Sequence, residues 1–392
     1  MILYDTLKKD YLPFKPNKIV KVYVCGITPY DSAHLGHIFT FMTYDLLQRR
    51  LEDKGHEVRM VRNITDVDEP IYARAKELGI PYMELANREV DSFHETLERL
   101  NFRPLFAEPR ASQYIDAMVD AIKKLQDKGI AYFVDKDLYY DTSVDPGFGK
   151  FSGFSGRLLN GLMANRGGDP ERPGKRNPLD FLLWKSISDP DDPAQWKSPF
   201  GPGRPGWHIE CSVMSATLLG IPFDLHGGGT DLIFPHHECE IAQSFGLGSD
   251  EVAHHWVHVS PMLFDGEKMS KSLGNLVFAK DLLESYDAAT IRLALMHYHY
   301  RVGGEWQPEY LEKSKQLLTD LNVRMKNISI DDAKKFQEAV RLRLDDDLNM
   351  PKVVHEIEKL ICRSSNAESS MEPNSESVEI LHATLSQLGL SA

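Results

Sequence analysis

The chain has 392 residues, 42% of them hydrophobic, enough to bury a large core and to form two or three domains. Its 45 basic and 58 acidic residues leave a net charge of −13, which disfavours non-specific attraction to nucleic acid while leaving room for a local basic patch. The opening MILYDTLKKDYLPF has no basic start, apolar stretch or small-residue cleavage site, and no run approaches a membrane-spanning length, so a cytoplasmic protein with no membrane partner is expected.

Residues 18 to 27, KIVKVYVCGI, alternate Val20, Val22 and Val24 with more polar neighbours and predict a strand. The turn-prone TPYDSAHLGH follows, then FTFMTYDLLQRRLEDKG, a helix whose buried side Phe41, Tyr44, Leu46 and Leu47 are expected to line and whose Gly55 predicts a stop. EVRMVRNI reads as the next strand, giving a βαβ unit with a histidine-bearing loop at the carboxyl end of its first strand, where doubly wound sheets bind ligands. Helical patterns dominate from about 71 to 130. The glycine- and proline-rich stretch from Asp145 to Gly206 predicts loops joining two halves of a split sheet. A second half runs from Trp207 to Arg301, and the remainder is helical and charged, with segment 364 to 377 as a connector between two helices. The expected organisation is therefore 1–130, a connective insertion over 131–206, 207–301, and a helical region over 302–392.

Four cysteines (Cys25, Cys211, Cys239 and Cys362) are too few and too scattered to staple a chain of this size. Cys25 ends the first strand, Cys211 lies in GWHIECS, and FPHHECEIAQS offers His236, His237, Glu238, Cys239 and Glu240. On a helix His236 and Glu240 face the same way, and a Cys, His and carboxylate set suits zinc. On spacing alone, core packing of the cysteines is the simpler reading, and His237 and Cys239 stay open as spare donors. Cys362, in LICRSS, reads as core.

Neither GxxxxGK[ST] nor GxGxxG follows the first strand, so P-loop and dinucleotide readings fail. Instead His34, Leu35, Gly36 and His37 open the first helix, whose free N–H groups and dipole suit a triphosphate. Far downstream, GEKMSKSLGN puts Lys268 and Lys271 on a loop able to close over phosphates. Either motif alone is a weak signal. Together, in that order, they are a strong one.

HLGH followed by KMSKS resembles the paired signatures of class I aminoacyl-tRNA synthetases. CGITPYD, NITDVDE, GWHIECS, GGGTDLIFPHHE and DGEKMSKSLGN are similar to the cysteine-specific branch, across nearly the whole chain. That branch holds cysteinyl-tRNA synthetase and the cysteine:glucosaminyl-inositol ligase of mycothiol synthesis. ITPYD, RGGDPERPGK (Arg166 to Lys175), SPFGPGRPGWHIEC and the short acidic end with DDLNMPK resemble the ligase, whereas Glu240 and KRNPLDFLLWK resemble the synthetase.

The resemblance implies an α/β, Rossmann-like class I catalytic domain, a split parallel sheet with an insertion, followed by a C-terminal α-helical domain. It implies a zinc ion held by Cys25, Cys211 and His236, with Glu240 an additional or weak ligand and the substrate thiolate completing the shell. ATP with Mg2+ is the implied co-substrate, and His34, His37, Lys268 and Lys271 would stabilise pyrophosphate departure. Contacts to cysteinyl-adenylate map onto Thr28, Thr40, Asn63, Ile64, Thr65, Trp207, Gly229, Thr230, Asp231 and Met262. Without the resemblance, Trp207 reads as a core tryptophan and Asp231 as a turn residue. The implied partners are cysteine, ATP and an amino-sugar acceptor in a monomeric enzyme, with tRNA as the alternative acceptor. The cluster His254, His255 and His258 reads as surface or core histidines.

Overall fold

The computed structural model describes residues 1–154, 156–269, 274–364 and 375–391. A hairpin of β1 (Ile2–Asp5) and β2 (Asp10–Pro13) leads into β3 (Ile19–Ile27), α1 (Leu35–Asp53) and β4 (Glu57–Ile64). Next come α2 (Glu69–Leu78), α3 (Tyr82–Arg99) and α4 (Ile115–Asp127). A second region holds β5 (Ala131–Val134), β6 (Asp137–Tyr140), α5 (Arg157–Asn165), β7 (Phe181–Ser186) and β8 (Gly203–Pro205). The chain then returns through α6 (Trp207–Leu219), β9 (Leu225–Gly229), α7 (Glu238–Leu247) and β10 (Trp256–Val259).

The central sheet runs β10-β9-β3-β4 and every pair in it is parallel. β3 therefore pairs with the next strand in sequence on one side and with a strand from far downstream on the other. Ligands bind beyond the carboxyl ends of strands at such a switch point. Both faces of the sheet are covered. One packs against α1 and the C-terminal helices, and the other against α4, α6, α7 and the second region.

The glycine- and proline-rich stretch does not consist of loops alone, as its punctuation suggested. α5, β7 and β8 form within it, and β5-β6-β7-β8 is an antiparallel sheet. The apolar FLLWK run is long enough for a buried central strand. Gly203 and Gly206 permit close backbone approach, since an added Cβ would meet Lys185 O at 2.2 Å and Leu182 O at 2.1 Å. They are packing residues of a sheet edge as well as turn formers.

A small sheet, β11 (Met262–Phe264), β12 (Glu267–Lys268) and β13 (Gly304–Glu305), carries the lysine loop. Between its second and third strands lie α8 (Ala279–Leu282) and α9 (Ala288–Leu295). The C-terminal region is α10 (Glu309–Arg324), α11 (Ile330–Asp345), α12 (Met350–Ser364) and α13 (Ser375–Gln387). Most of the expected 364–377 connector, residues 365–374, lies outside the described residues.

α1 is buried almost all round, including Asp45, Arg49 and Arg50, because α11 and α13 cover the side that faces away from the sheet. Arg292 of α9, fully buried, donates to Asp45, to Leu100 O at 3.2 Å and to Leu388 O at 3.2 Å, fastening the C-terminus onto the catalytic sheet. Arg49 and Arg292 beside Asp45 outweigh the burial that would raise its pKa and hold the carboxyl below the usual range.

Candidate active site and metal centre

β3 delivers Cys25 to the carboxyl edge of the sheet. There Asn63, at the end of β4, accepts from Gly26 N at 2.9 Å and lies 3.6 Å from Cys211 Sγ. A Cβ on Gly26 would fall 1.6 Å from Asn63 O, so only glycine lets the two strands approach here. α6 begins just after Gly206 and brings Cys211 to 3.8 Å, sulfur to sulfur, from Cys25. The turn over Ile233–His237 aims His236 inward, and Glu240 follows one helical turn later.

Cys25, Cys211, His236 and Glu240 each offer a donor atom, all within 4.8 Å of one another and all buried. Burial, ahead of neighbouring positive charge, keeps His236 neutral, the form that ligates a metal. Two thiols, a neutral imidazole and a carboxylate with no room for bulk water form a metal-binding donor set. A second combination, Cys25, His226, His237 and Glu240, meets the same distance test. In it His237 Nε2 lies 3.3 Å from Cys25 Sγ. His226 Nε2 lies 3.0 Å from Glu240 Oε2, and His237 Nδ1 lies 2.7 Å from His258 Nε2, whose Nδ1 reaches Thr6 Oγ1 at 2.9 Å. The first set also borders the substrate cleft: Cys25 lines it, and cleft-lining Trp207 lies over His236 with ring centroids 4.2 Å apart. His226, in contact with Glu240, His237, in contact with Cys25, and His258 behind His237 form a layer behind this candidate donor set.

The phosphate end sits beside it. His34 caps α1 with its Nδ1, which accepts from Gly36 N at 3.1 Å, so the neutral ring carries its proton on Nε2 and presents it as a donor. His34 and His37 stack at 3.8 Å between centroids, and burial depresses them to about 3 and about 4. The helix start is less open than the sequence suggested. Leu35 N already donates to Val277 O at 2.7 Å and Gly36 N to His34. An anion placed here would meet the two rings and the helix dipole rather than those two amides. Across the cleft Lys268 Nζ and Arg166 Nη2 meet Asp231 Oδ2 at 2.8 Å and 2.7 Å. These two cations outweigh burial and hold Asp231 well below the usual carboxylate range. Lys271 lies outside the described residues.

The cleft, about 860 Å³, gathers Thr28, Thr40, Trp207, Gly229, Asp231 and Met262 with His34, His37 and Lys268. Asn63, Ile64 and Thr65 are buried behind it, and Thr230 lies in the short helical turn before Ile233. Cys239 is fully buried in the core, while Cys362 is exposed rather than core, because its position on α12 faces solvent. Of the HHWVH histidines, His254 is exposed beside Glu251, His255 is buried near Asp5, and His258 belongs to the layer behind the metal centre. Sequence reasoning missed His226 and the reach of Arg166 into the site. The one signal for His226 was an imidazole amid the glycines and apolar residues of a strand, LHGGG.

Residues 12–316 match the family described as tRNA synthetases class I (C) catalytic domain. The chain is 43% identical over 350 residues to the L-cysteine:1D-myo-inositol 2-amino-2-deoxy-alpha-D-glucopyranoside ligase of Streptosporangium roseum, covering 89% of this chain and 86% of the relative. It is 44% identical over 349 residues to the ligase of the same name from Thermobifida fusca, covering 88% and 84%. Among solved structures, Mycobacterium tuberculosis methionyl-tRNA synthetase in complex with methionyl-adenylate is similar with a TM-score of 0.66 at 17% identity, over 95% of this chain and 90% of that one. The LeuRS–tRNA–LeuAMS ternary complex of Agrobacterium radiobacter K84 gives 0.69 at 11% identity, over 97% and 85%. These two establish the fold, and the matched family and curated relatives establish more: the chain belongs to the class I (C) tRNA-synthetase family, on the branch of the L-cysteine:1D-myo-inositol 2-amino-2-deoxy-alpha-D-glucopyranoside ligases.

Proposed function

We propose that this enzyme activates L-cysteine with ATP to cysteinyl-adenylate, and passes the acyl group to the amine of glucosaminyl-inositol, releasing AMP and pyrophosphate. The observation that carries it is the position of Cys25, which belongs at once to the buried donor set and to the cleft wall shared with His34 and His37. A zinc ion held by Cys25, Cys211 and His236, with Glu240 as a further donor, would offer a position for the substrate sulfur and so select a thiol.

The chain's own groups supply the rest. Trp207 forms a flat wall beside the amino acid, and Thr28 lies next along the cleft. His34 Nε2–H and His37 face the phosphates, with Mg2+ accompanying ATP. Lys268, whose Nζ donates to Asp231 Oδ2 at 2.8 Å, exchanges that carboxylate for phosphate oxygens and neutralises charge as pyrophosphate leaves. By the family resemblance Lys271, three residues further along the sequence, takes the same role. Asp231, Thr230 and Gly229 form the ribose side. We take the enzyme to act as a monomer. Among the described residues no helix is long and apolar enough to cross a membrane, and with ATP as co-substrate we place the reaction in the cytoplasm.

The test is incubation with ATP, Mg2+ and cysteine, offering glucosaminyl-inositol or tRNA as acceptor. Formation of the amide with stoichiometric AMP is expected. Charging of tRNA with no amide product would overturn the assignment.

A further inference from the structure

The acceptor's amine must lose a proton as it becomes an amide nitrogen, and the cleft holds several carboxylates that differ sharply in availability. Asp231 is committed to Lys268 and Arg166. Glu69 is bound by Lys185 at 2.6 Å and Arg204 at 2.9 Å. Asp137 holds Arg172 and Ser186 N, and Asp169 holds Lys175 and the Tyr139 hydroxyl. Asp180 accepts from Tyr132, Thr142 and Asn177 N. Asp31 lies at the phosphate end, near His34.

Asp68 differs from all of these. It is the N-cap of α2, and Oδ1 accepts from Glu69 N at 2.9 Å. Its other oxygen, Oδ2, turns into the cleft and accepts from Thr28 Oγ1 at 3.4 Å. That location is specific. The substrate's sulfur end is fixed by Cys25 and its phosphate end by His34 and His37, so the acyl carbon lies along the segment between them, which contains Thr28. Beyond Asp68 the cleft continues along Glu69, Lys185 and Arg204, a polar wall suited to the hydroxyls of a sugar.

Resting on the acceptor assignment above, we infer that Asp68 is the general base of acyl transfer, taking the proton from the acceptor nitrogen as it attacks. The nitrogen lone pair forms the C–N bond to the acyl carbon. The N–H proton passes to Asp68 Oδ2, and the C–O bond to phosphorus-bound oxygen breaks, its electron pair leaving with AMP. Asp68 then releases the proton to solvent through the open cleft.

Its proton affinity suits the task. Burial, ahead of its neighbour Glu69, lifts Asp68 to about 6, against the opposing pull of the Glu69 N–H, Thr28 and Arg204. The titratable groups facing it are Glu69 on its own helix, Arg204 of β8, and Glu210 of α6, whose carboxyl burial pushes well above the usual range and so toward its neutral form. At neutral pH it is ionised yet more basic than an exposed aspartate, the balance an acid–base catalyst needs.

The experiment is single-turnover transfer from preformed enzyme-bound cysteinyl-adenylate, offered either glucosaminyl-inositol or hydroxylamine, a small and strong nucleophile that can lose its proton to water instead of to the enzyme. Asp68→Asn keeps a good N-cap, so α2 is retained. Amide formation is expected to slow on the order of 10²-fold in Asp68→Asn, with hydroxamate formation changed by less than about threefold and partial recovery in Asp68→Glu. In the unmodified enzyme, transfer should fall as pH drops through about 6, a limb absent in Asp68→Asn. Equal loss of amide and hydroxamate, or an unchanged pH profile in Asp68→Asn, would overturn the assignment. An unmodified enzyme that makes hydroxamate but no amide refutes the acceptor reading and this one with it. Amide formation at the normal rate in Asp68→Asn refutes this one alone.

Discussion

Replacing Arg292 by Met should destabilise the molecule, because this buried guanidinium, alongside Arg49 to Ser386 O and Arg341 to Asp53, ties the C-terminal region to the part of the fold that carries the active site. Met retains most of the buried stem, so the loss is electrostatic. The structure shows what is left behind: Asp45 without its contact, and the carbonyls of Leu100 and Leu388 without a donor. Removing one partner of a buried pair typically costs about 3–5 kcal/mol. Asp45 keeps Arg49 at 2.8 Å and Arg103 N at 2.8 Å, which places the cost near the lower end, about 3 kcal/mol, or roughly a 100-fold rise in the unfolded fraction. Urea unfolding followed by tryptophan fluorescence and by circular dichroism reads it directly. The pH dependence has a definite sign. Asp45's folded pKa is depressed, so its stabilising contribution is present above the unfolded carboxylate range and is lost as pH falls through the folded value. The deficit of Arg292→Met should therefore stay constant from pH 7 to about 5 and shrink below about 4. A variant within 0.5 kcal/mol of the parent at pH 7, on the order of a neutral surface change, would refute the reasoning.

Two further changes probe the site itself. Cys211→Ser should lose bound zinc and cysteine-dependent pyrophosphate exchange together, measured by metal analysis and by isotope exchange into ATP; full activity without the metal would contradict the donor set. Glu238 accepts from Gly149 N, Phe151 N and Ser152 N, pinning the loop before α5 onto α7 beside the metal centre. Glu238→Ala leaves three backbone amides unpaired, that of the buried Phe151 among them, and should destabilise the fold by about 1–3 kcal/mol while opening residues 145–154 to limited proteolysis.

The parts of the fold carried by local periodicity were legible in the sequence, and the parts carried by distant contacts were not. Val20, Val22 and Val24 announce β3, and the helix after HLGH ends where Gly55 predicts, with Lys54 as its cap and Gly55 at a φ of 86°. Its amphipathic reading identified Phe41, Tyr44, Leu46 and Leu47 but not the burial of Asp45, Arg49 and Arg50. That burial depends on helices beyond residue 330 folding over the outer face. The stretch before Gly206 misled for the opposite reason: its glycines mark strand contacts with Leu182 and Lys185 that no local pattern encodes. At the site, the order HLGH then KMSKS exposed the chemistry. Occupation of Leu35 N by Val277 O, the contact of His258 with Thr6, and the grip of Arg166 on Asp231 all join residues from opposite halves of the chain.

How strongly the enzyme prefers cysteine to serine distinguishes a metal-based site from an ordinary pocket. Shape alone discriminates poorly: a methylene-sized difference in an apolar pocket amounts to about 1–3 kcal/mol, or 10–200-fold. The end of this cleft is not an apolar pocket but a set of buried donors, with Cys25 only 6% exposed and Cys211, His236 and Glu240 at 1% each. Burial pushes the Cys25 thiol well up, and the adjoining Cys211 and Glu240 push it further, an arrangement that favours a bound cation. A serine hydroxyl is a poor partner for such a centre and far harder to ionise than a thiol. The ratio of kcat/KM for cysteine over serine in pyrophosphate exchange should therefore exceed about 200, the ceiling for shape alone, and should fall once the metal is removed by a chelator. A ratio at or below that ceiling, unchanged by chelation, would mean that the sulfur is recognised by fit and that the four buried donors serve only the fold.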